Sequence, residues 1–388
     1  MKQAVIVACG RSAFGKIRGG LRATRPEDLC AQVVQGVLAQ VPETVQGKIE
    51  DFVLGCAFPE GQQGANMARN VAGLAGLPVS VAGQTVNRYC SSGLQSIATA
   101  AYTIICGQQR VALAGGVECM SAIPMGGARN LPSPELMDAA PQYYISMGLT
   151  AEKVAEKYHI SRSRMDAFAL ASHQKAQAAQ EAGYFAEEIV SVRAVAPNKT
   201  VCEENRRLLA ADEGIRPQTT LESLGKLRPV FMREGSVTAG NASQMTDGAA
   251  AVLLMEEEYA KELGLQPLAR FVSFAVAGVE AALMGIGPIA AIPKALELAG
   301  LTLADIDFIE LNEAFAAQAL ACMDVLGLDA ERVNVNGGAI ALGHPLGCTG
   351  SALTVRLLRQ LKRANARYGI VSMCIGGGQG AAGIFECL

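Results

Sequence analysis

The chain reads as an α/β protein made of two similar halves, the first of them interrupted by an insertion, and three observations predict this. Short apolar stretches with the beat of buried strands alternate with stretches whose apolar residues recur at helical spacing, which implies parallel strands covered by helices. The same order of elements occurs twice. Residues 118–245 lose that rhythm, mixing loops with helical runs such as 150–182, and their expected role is to bind something over the paired domains.

The elements follow in order. "AVIVACG" is a first strand: its apolar run is too short for a signal segment, and Arg11, Lys16 and Arg18 follow it. In the first half the helix "DLCAQVVQGVLAQV" leads to the strand "IEDFVLG", the helix "ANMARNVAGLAG", the strand "VSVAGQTVN", a helix after Cys90 and the strand "RVALAGG". In the second half the helix "AIPKALELAG" leads to the strand "IDFIELN", the helix "AFAAQALACMDVLG", the strand "ERVNVNGG", the helix "GSALTVRLLRQLKRAN" and the strand "YGIVSMCIGG". "AAGIFECL" closes the chain as a last strand.

Composition bounds the function. The 388 residues suffice for two or three domains at ~150 residues each, and a chain that is 50% hydrophobic and 18% charged can fill a large core. A net charge of −3 supplies no basic field, so nucleic acid is not an expected partner. Eleven cysteines without a C-x-x-C pair point to free thiols in a reducing compartment, and the widely separated His159, His173 and His344 do not suggest a metal site. No window approaches ~18 uninterrupted apolar residues, so the expected location is the cytoplasm.

Ligands of open α/β sheets gather at the carboxyl ends of strands, and four chemically useful residues fall there: Cys90, Asn312, His344 and Cys374. Cys90, in "NRYCSSGLQS", sits at a strand-to-helix junction, where unpaired N–H groups and the helix dipole favour a thiolate. A lone cysteine is as often a small buried hydrophobe; convergence with the other three residues favours a nucleophile. His344, in "NGGAIALGHPLGCTG", has the pKa range to take a thiol proton or to donate to an oxyanion, where a structural histidine is the ordinary alternative.

His159 and His173 lack such a setting and are assigned to structure or surface; Glu313 is read as a cap of the helix after it. The glycines of "SMCIGGGQGAA" are not followed by a helix, which excludes a dinucleotide or phosphate loop, and they are expected to bring backbone N–H groups beside Cys374. Met147 is a pocket residue or plain core.

Together "NRYCSSGLQS", "VTAGNASQMTDGAA", "MGIGP", "LNEAFAAQ", "NGGAIALGHPLGCTG" and "SMCIGGGQGAA" resemble the thiolase family over nearly the whole chain. The resemblance implies a five-layer α-β-α-β-α fold of two βαβαβαββ domains. The first spans residues 1–117 and 246–268, with a CoA-binding loop domain at 118–245, and the second spans 269–388. It implies Cys90 as acyl acceptor, His344 as its activator and Cys374 as acid/base. Asn312 through a water, with His344, forms one oxyanion hole, and the N–H groups of Cys90 and Gly376 form the other.

It also implies Ser243 beside the pantetheine, and Phe231, Met147, Met284 and Phe315 as pocket walls. Ser146 stands where many biosynthetic members have a histidine. "CSSGLQ" and "MGIGP" lean toward cleavage of 3-ketoacyl-CoA in fatty-acid breakdown. The short "MSAIPMGGARNLPSPELMDAAPQYYISMG" lacks room for a tetramerisation loop, so a homodimer is expected. No cofactor is implied, CoA being a substrate. Two alternatives share the motifs: a short-chain acetoacetyl-CoA enzyme working in the condensing direction, and a CoA or lipid binder on the same scaffold.

Overall fold

The computed structural model describes residues 2–129, 131–196, 199 and 202–388. The first half runs β1 (Ala4–Ser12), α1 (Pro26–Leu38), β2 (Asp51–Gly55), α2 (Met67–Leu74), β3 (Ala82–Val86), α3 (Ser92–Ile105) and β4 (Val111–Cys119). In the insertion lie α4 (Met147–Lys157) and α5 (Arg162–Glu181); β5 (Thr246–Glu256) then returns to the first sheet. The second half runs β6 (Ala269–Gly278), α6 (Gly287–Ala299), β7 (Phe308–Leu311), α7 (Ala316–Leu326), α8 (Leu346–Ala364), β8 (Tyr368–Ile375) and β9 (Gln379–Cys387).

The strand order is β3-β2-β4-β5-β1 in one half and β7-β8-β9-β6 in the other, joined where β1 meets β6 antiparallel at Val5↔Arg270 and Ile6↔Ala269. Periodicity explains the layers. One apolar face of the first sheet buries Leu29, Val33, Val37 and Val71 of α1 and α2. The facing sides of both sheets enclose α3 and α8, with Leu94, Ile97, Ile104, Val355 and Leu361 wholly or almost wholly buried. α6 and α7 cover the far face of the second sheet through Ile292, Leu296 and Cys322. Five layers result, and each buried Ile, Leu or Phe contributes about 1.5–3 kcal/mol to holding them.

The central helices begin side by side because they start with glycines. A Cβ on Gly93 would lie 2.8 Å from the Gly347 carbonyl, and one on Gly350 would lie 2.3 Å from Leu94 N. This close approach brings the loops before α3 and α8 together, and those loops carry Cys90 and His344.

Three details differ from the sequence reading. "ERVNVNGG" forms no strand but a single parallel bridge from Val333 to Ile309, because the Asn334 side chain takes the edge positions itself, accepting from Leu311 N at 2.9 Å and donating to Leu311 O at 2.8 Å. The insertion contains a two-stranded antiparallel ladder, Val192–Val195 with Arg206–Leu209, besides its helices and loops. Ala281–Ala299 has the length and mean hydropathy of a membrane-crossing helix, yet it is a 3-10 turn that leaves helical geometry at Leu283 before α6 begins, and more than half of it is buried in the protein.

The insertion is tied to β1 by buried charge. Arg11 donates to Glu188 at 2.7 Å and to both Asp212 oxygens at 2.8 and 2.9 Å, and its guanidinium lies 4.9 Å from the Phe14 ring centre.

Candidate active site

β3 ends at Val86, and the chain reaches Cys90 through Tyr89 at a φ of 42°, a left-handed conformation steadied by Tyr89 N donating to Asn87 Oδ1 at 2.8 Å. Cys90 lies in the 3-10 turn Tyr89–Ser91 that runs into α3. Its side chain sits in an apolar chamber of Ala57, Met120 and Leu346, with Phe58 against it. Two backbone N–H groups, those of Gly376 and of Cys90 itself, point at its sulfur and favour the thiolate.

Burial outweighs them. Desolvation, with Glu118 adding a repulsive charge, pushes the Cys90 thiol up to about 11. The helix start favours the thiolate as the sequence implies, but burial is the larger effect, so the resting group is a thiol whose proton a base must take.

His344 lies between the short helix Ala339–Leu342 and α8, reached through Gly343 at a φ of 110°. A Cβ on Gly343 would lie 2.1 Å from Thr246 Oγ1, the atom that accepts from His344 N at 3.2 Å, so only glycine fits that bend. Thr349 Oγ1 lies 2.6 Å from His344 Nδ1 and donates its own proton to Pro345 O at 3.0 Å, so Nδ1 carries the hydrogen and Nε2 the lone pair. Asn312 Nδ2 donates to that lone pair at 3.3 Å. Burial lowers the imidazole to about 3, so His344 rests neutral with Nε2 unprotonated, and it takes up a proton only against that burial, as negative charge develops beside it.

Asn312 follows β7 directly; its N–H donates to Ser372 O at 2.9 Å and its carbonyl accepts from Gln318 Nε2 at 3.2 Å. Its Oδ1 is buried and accepts no hydrogen bond from the described residues, so it is an acceptor left over in the site. Cys374, fully buried near the end of β8, is pushed well above the ordinary thiol range by desolvation and then by Cys90, so the two sulfurs share one environment. β8 turns into β9 through Gly376–Gly378, with Gly377 and Gly378 at φ of 80° and 81°. The turn aims the Gly376 N–H at Cys90, two residues past Cys374.

The pocket residues fall around this centre. Met147, Met284, Phe315 and Cys374 belong to one apolar cluster, and a Cβ on Gly376 would lie 3.8 Å from Met147 Sδ. Phe231 meets Phe315 edge to face, 6.1 Å between ring centres, and lies over Gly148. Ser243 N donates to Ala314 O at 3.0 Å, which sets Ser243 half-buried beside the start of α7. Ser146 is exposed just before α4.

The other two histidines stand apart from this centre. His159 is exposed; His173 is buried, accepts from Arg216 N at 3.2 Å and is lowered to about 4 by burial and by Arg216. Glu313 is structural but does not cap the helix after it: it accepts from Ser172 Oγ at 2.7 Å, Asn334 Nδ2 at 2.9 Å and Ile340 N at 3.2 Å, bracing the segment that leads to His344. Sequence reasoning missed Thr349, Gln318 and Glu118. Thr349 lies in the first turn of α8, five residues past His344, and offered a signal; Glu118, a lone carboxylate at the end of an apolar strand, offered another.

Comparison with known proteins accords with this geometry. Residues 4–258 match the family described as thiolase, N-terminal domain, and residues 265–387 match thiolase, C-terminal domain. The chain is 55% identical over 395 residues to a 3-ketoacyl-CoA thiolase of Bacillus subtilis (strain 168), covering 100% of both. It is 49% identical to the peroxisomal 3-ketoacyl-CoA thiolase A of Rattus norvegicus, covering 98% of this chain and 88% of that one. The crystal structure of Bacillus anthracis acetyl-CoA acetyltransferase superposes with a TM-score of 0.91 at 42% identity, covering 100% and 99% of the two chains.

Proposed function

The chain belongs to the thiolase family, and on that premise we propose that it is an acyltransferase that cleaves 3-ketoacyl-CoA with CoA to acetyl-CoA and an acyl-CoA shortened by one acetyl unit, in fatty-acid degradation. The observation that carries the reading is the sulfur of Cys90 facing two backbone N–H groups, with a second thiol and a neutral imidazole in the same buried site.

In the first half-reaction His344 Nε2 takes the Cys90 proton as the sulfur bonds to the 3-keto carbon. The N–H groups of Cys90 and Gly376 hold the oxyanion on C3, and the imidazolium N–H now formed at Nε2, with a water on Asn312, holds the thioester oxygen on which the enolate charge develops. The bond between C2 and C3 breaks, its electron pair passes to C2, and Cys374 protonates that carbon to release acetyl-CoA. In the second half-reaction the Cys374 thiolate takes the proton of CoA, whose sulfur attacks the acyl-Cys90 thioester. The Gly376 and Cys90 N–H groups hold that oxyanion, each worth about 3 kcal/mol in a dry site. Cys90 leaves and recovers its proton from His344.

Residues 118–245 supply the CoA-binding surface in this reading, with Ser243 at the pantetheine and Phe231, Met147, Met284 and Phe315 walling the passage. The chemistry uses no cofactor. We place the chain in the cytoplasm, on the reducing conditions that suit eleven free cysteines, and as a homodimer: among the described residues β3 pairs only with β2, and Leu74 and Val79 near it in the chain are 58% and 91% exposed, an edge that a second copy would cover.

A second reading, acetyl transfer restricted to acetoacetyl-CoA, is favoured by the name of the Bacillus anthracis relative. Thiolysis of acetoacetyl-CoA and of 3-ketooctanoyl-CoA by wild type and Cys90→Ala decides between them. Cleavage of both by wild type alone supports the degradative enzyme. Cleavage of acetoacetyl-CoA only supports the short-chain one, and cleavage of neither rejects both.

A further inference from the structure

We propose that Glu118 is a positioning residue that clamps together the three backbone segments walling the Cys90 chamber; this rests on the acyl-transfer reading above and deepens it. The carboxylate, at the end of β4, is buried. Oε2 accepts from Ala57 N at 2.7 Å and from Gly347 N at 2.8 Å; Oε1 accepts from Gln63 Nε2 at 2.7 Å and from Phe58 N at 3.3 Å. Cys56 Sγ approaches Oε1 at 3.9 Å.

These contacts coincide with the chamber. The apolar atoms around Cys90 come from Ala57, Phe58, Met120 and Leu346. Glu118 bonds the first two directly, stands two residues before the third, and holds the residue after the fourth. Gly347 is the second residue of α8, whose first turn presents unpaired N–H groups that favour a negative charge, and His344 lies three residues earlier. One side chain therefore fixes the nucleophile's walls and the start of the helix behind the base.

The fit has no slack. A Cβ on Gly347 would lie 2.7 Å from Ala57 N and 2.8 Å from Glu118 Oε2. Among the described contacts no cationic side chain pairs with Glu118, so a carboxylate is buried on N–H donors alone, an arrangement costly to the fold. Its charge also opposes the Cys90 thiolate. The other titratable groups around the pair are Asp247, raised to about 6 by burial beside Met120 and accepting from Ser121 N at 2.8 Å, the thiols of Cys56, Cys119, Cys348 and Cys374, all raised by burial, and the neutral His344.

The test reads two signals from E118Q and E118D: kcat/KM with 3-ketooctanoyl-CoA, and the pH profile of iodoacetamide alkylation of the Cys90 peptide followed by mass spectrometry. E118Q keeps the shape and loses the charge, so its kcat/KM falls about 10- to 100-fold while the alkylation profile moves to lower pH. E118D keeps the charge but cannot span from Ala57 to Gly347; its kcat/KM falls comparably with no move to lower pH. An E118Q protein with wild-type kcat/KM, or one with lost activity and an unmoved profile, overturns the proposal, the latter by reducing Glu118 to a role in stability. Should E118Q not fold, E118D with wild-type activity overturns it instead. Alkylation needs no ketoacyl-CoA, so a wild type inert toward that substrate refutes the thiolytic reading while the displaced profile still supports the clamp.

Discussion

His344 Nδ1 and Thr349 Oγ1 lie 2.6 Å apart, and the threonine gives its proton to Pro345 O. That pair fixes which imidazole nitrogen faces the chemistry. Thr349→Val removes the acceptor and leaves Nδ1–H buried without a partner, so kcat is expected to fall by about tenfold or more, whereas Thr349→Ser retains most of it. Steady-state kinetics of both variants checks this, and equal loss in the two would place the effect on packing.

Cys90 is a thiol at neutral pH, because burial raises it to about 11. The sign follows directly: below that value the thiolate fraction grows tenfold per pH unit, so alkylation of the Cys90 peptide by iodoacetamide is expected to climb steadily from pH 7 to 10. A rate already flat by pH 8 would mean that the Gly376 and Cys90 N–H groups overcome burial.

Gly343 at a φ of 110°, with no room for a Cβ beside Thr246, sets the approach to His344. Gly343→Ala should cost about 1–3 kcal/mol of stability and most of the activity. Gly47→Ala is the control: its φ is −69° and nothing stands within 4 Å of the added Cβ, so denaturant melts of that variant should match wild type.

Arg11 compensates two buried carboxylates, Glu188 and Asp212. Arg11→Met leaves both unpaired and is expected to cost about 3–5 kcal/mol, read as a lowered urea midpoint. A midpoint close to wild type would mean that the pair takes up protons or water instead.

The fold was legible where apolar periodicity carries it. α1 and α3 bury one face at regular helical spacing, so their places follow from pattern alone, whereas β1 and the first thirteen residues of α8 are buried on every side as the middle of the layers requires. The bridge at Val333 was not legible, because "ERVNVNGG" has the alternation of a strand and only the Asn334 side chain, folded back on Leu311, displaces the ladder. At the site, Cys90, Asn312 and Cys374 fall at or near strand ends as the pattern implies, whereas His344 lies between two helices and reaches Asn312 through the loop before α8. The burial that raises Cys90 was not legible: a helix start is visible in sequence, but the chamber of Ala57, Met120 and Leu346 is assembled from three distant segments. Glu118 escaped notice for the same reason, since its partners at 57, 63 and 347 converge only in three dimensions.

The central claim is that Cys90 carries the acyl group between the two half-reactions. Mixing the protein with 3-ketooctanoyl-CoA in the absence of free CoA, then digesting and weighing the peptides, tests it directly. The account predicts one equivalent of acetyl-CoA released in a burst and a six-carbon acyl group on the Cys90 peptide, discharged when CoA is added. An acyl group on Cys374 or elsewhere, or cleavage without any acylated peptide, would contradict it.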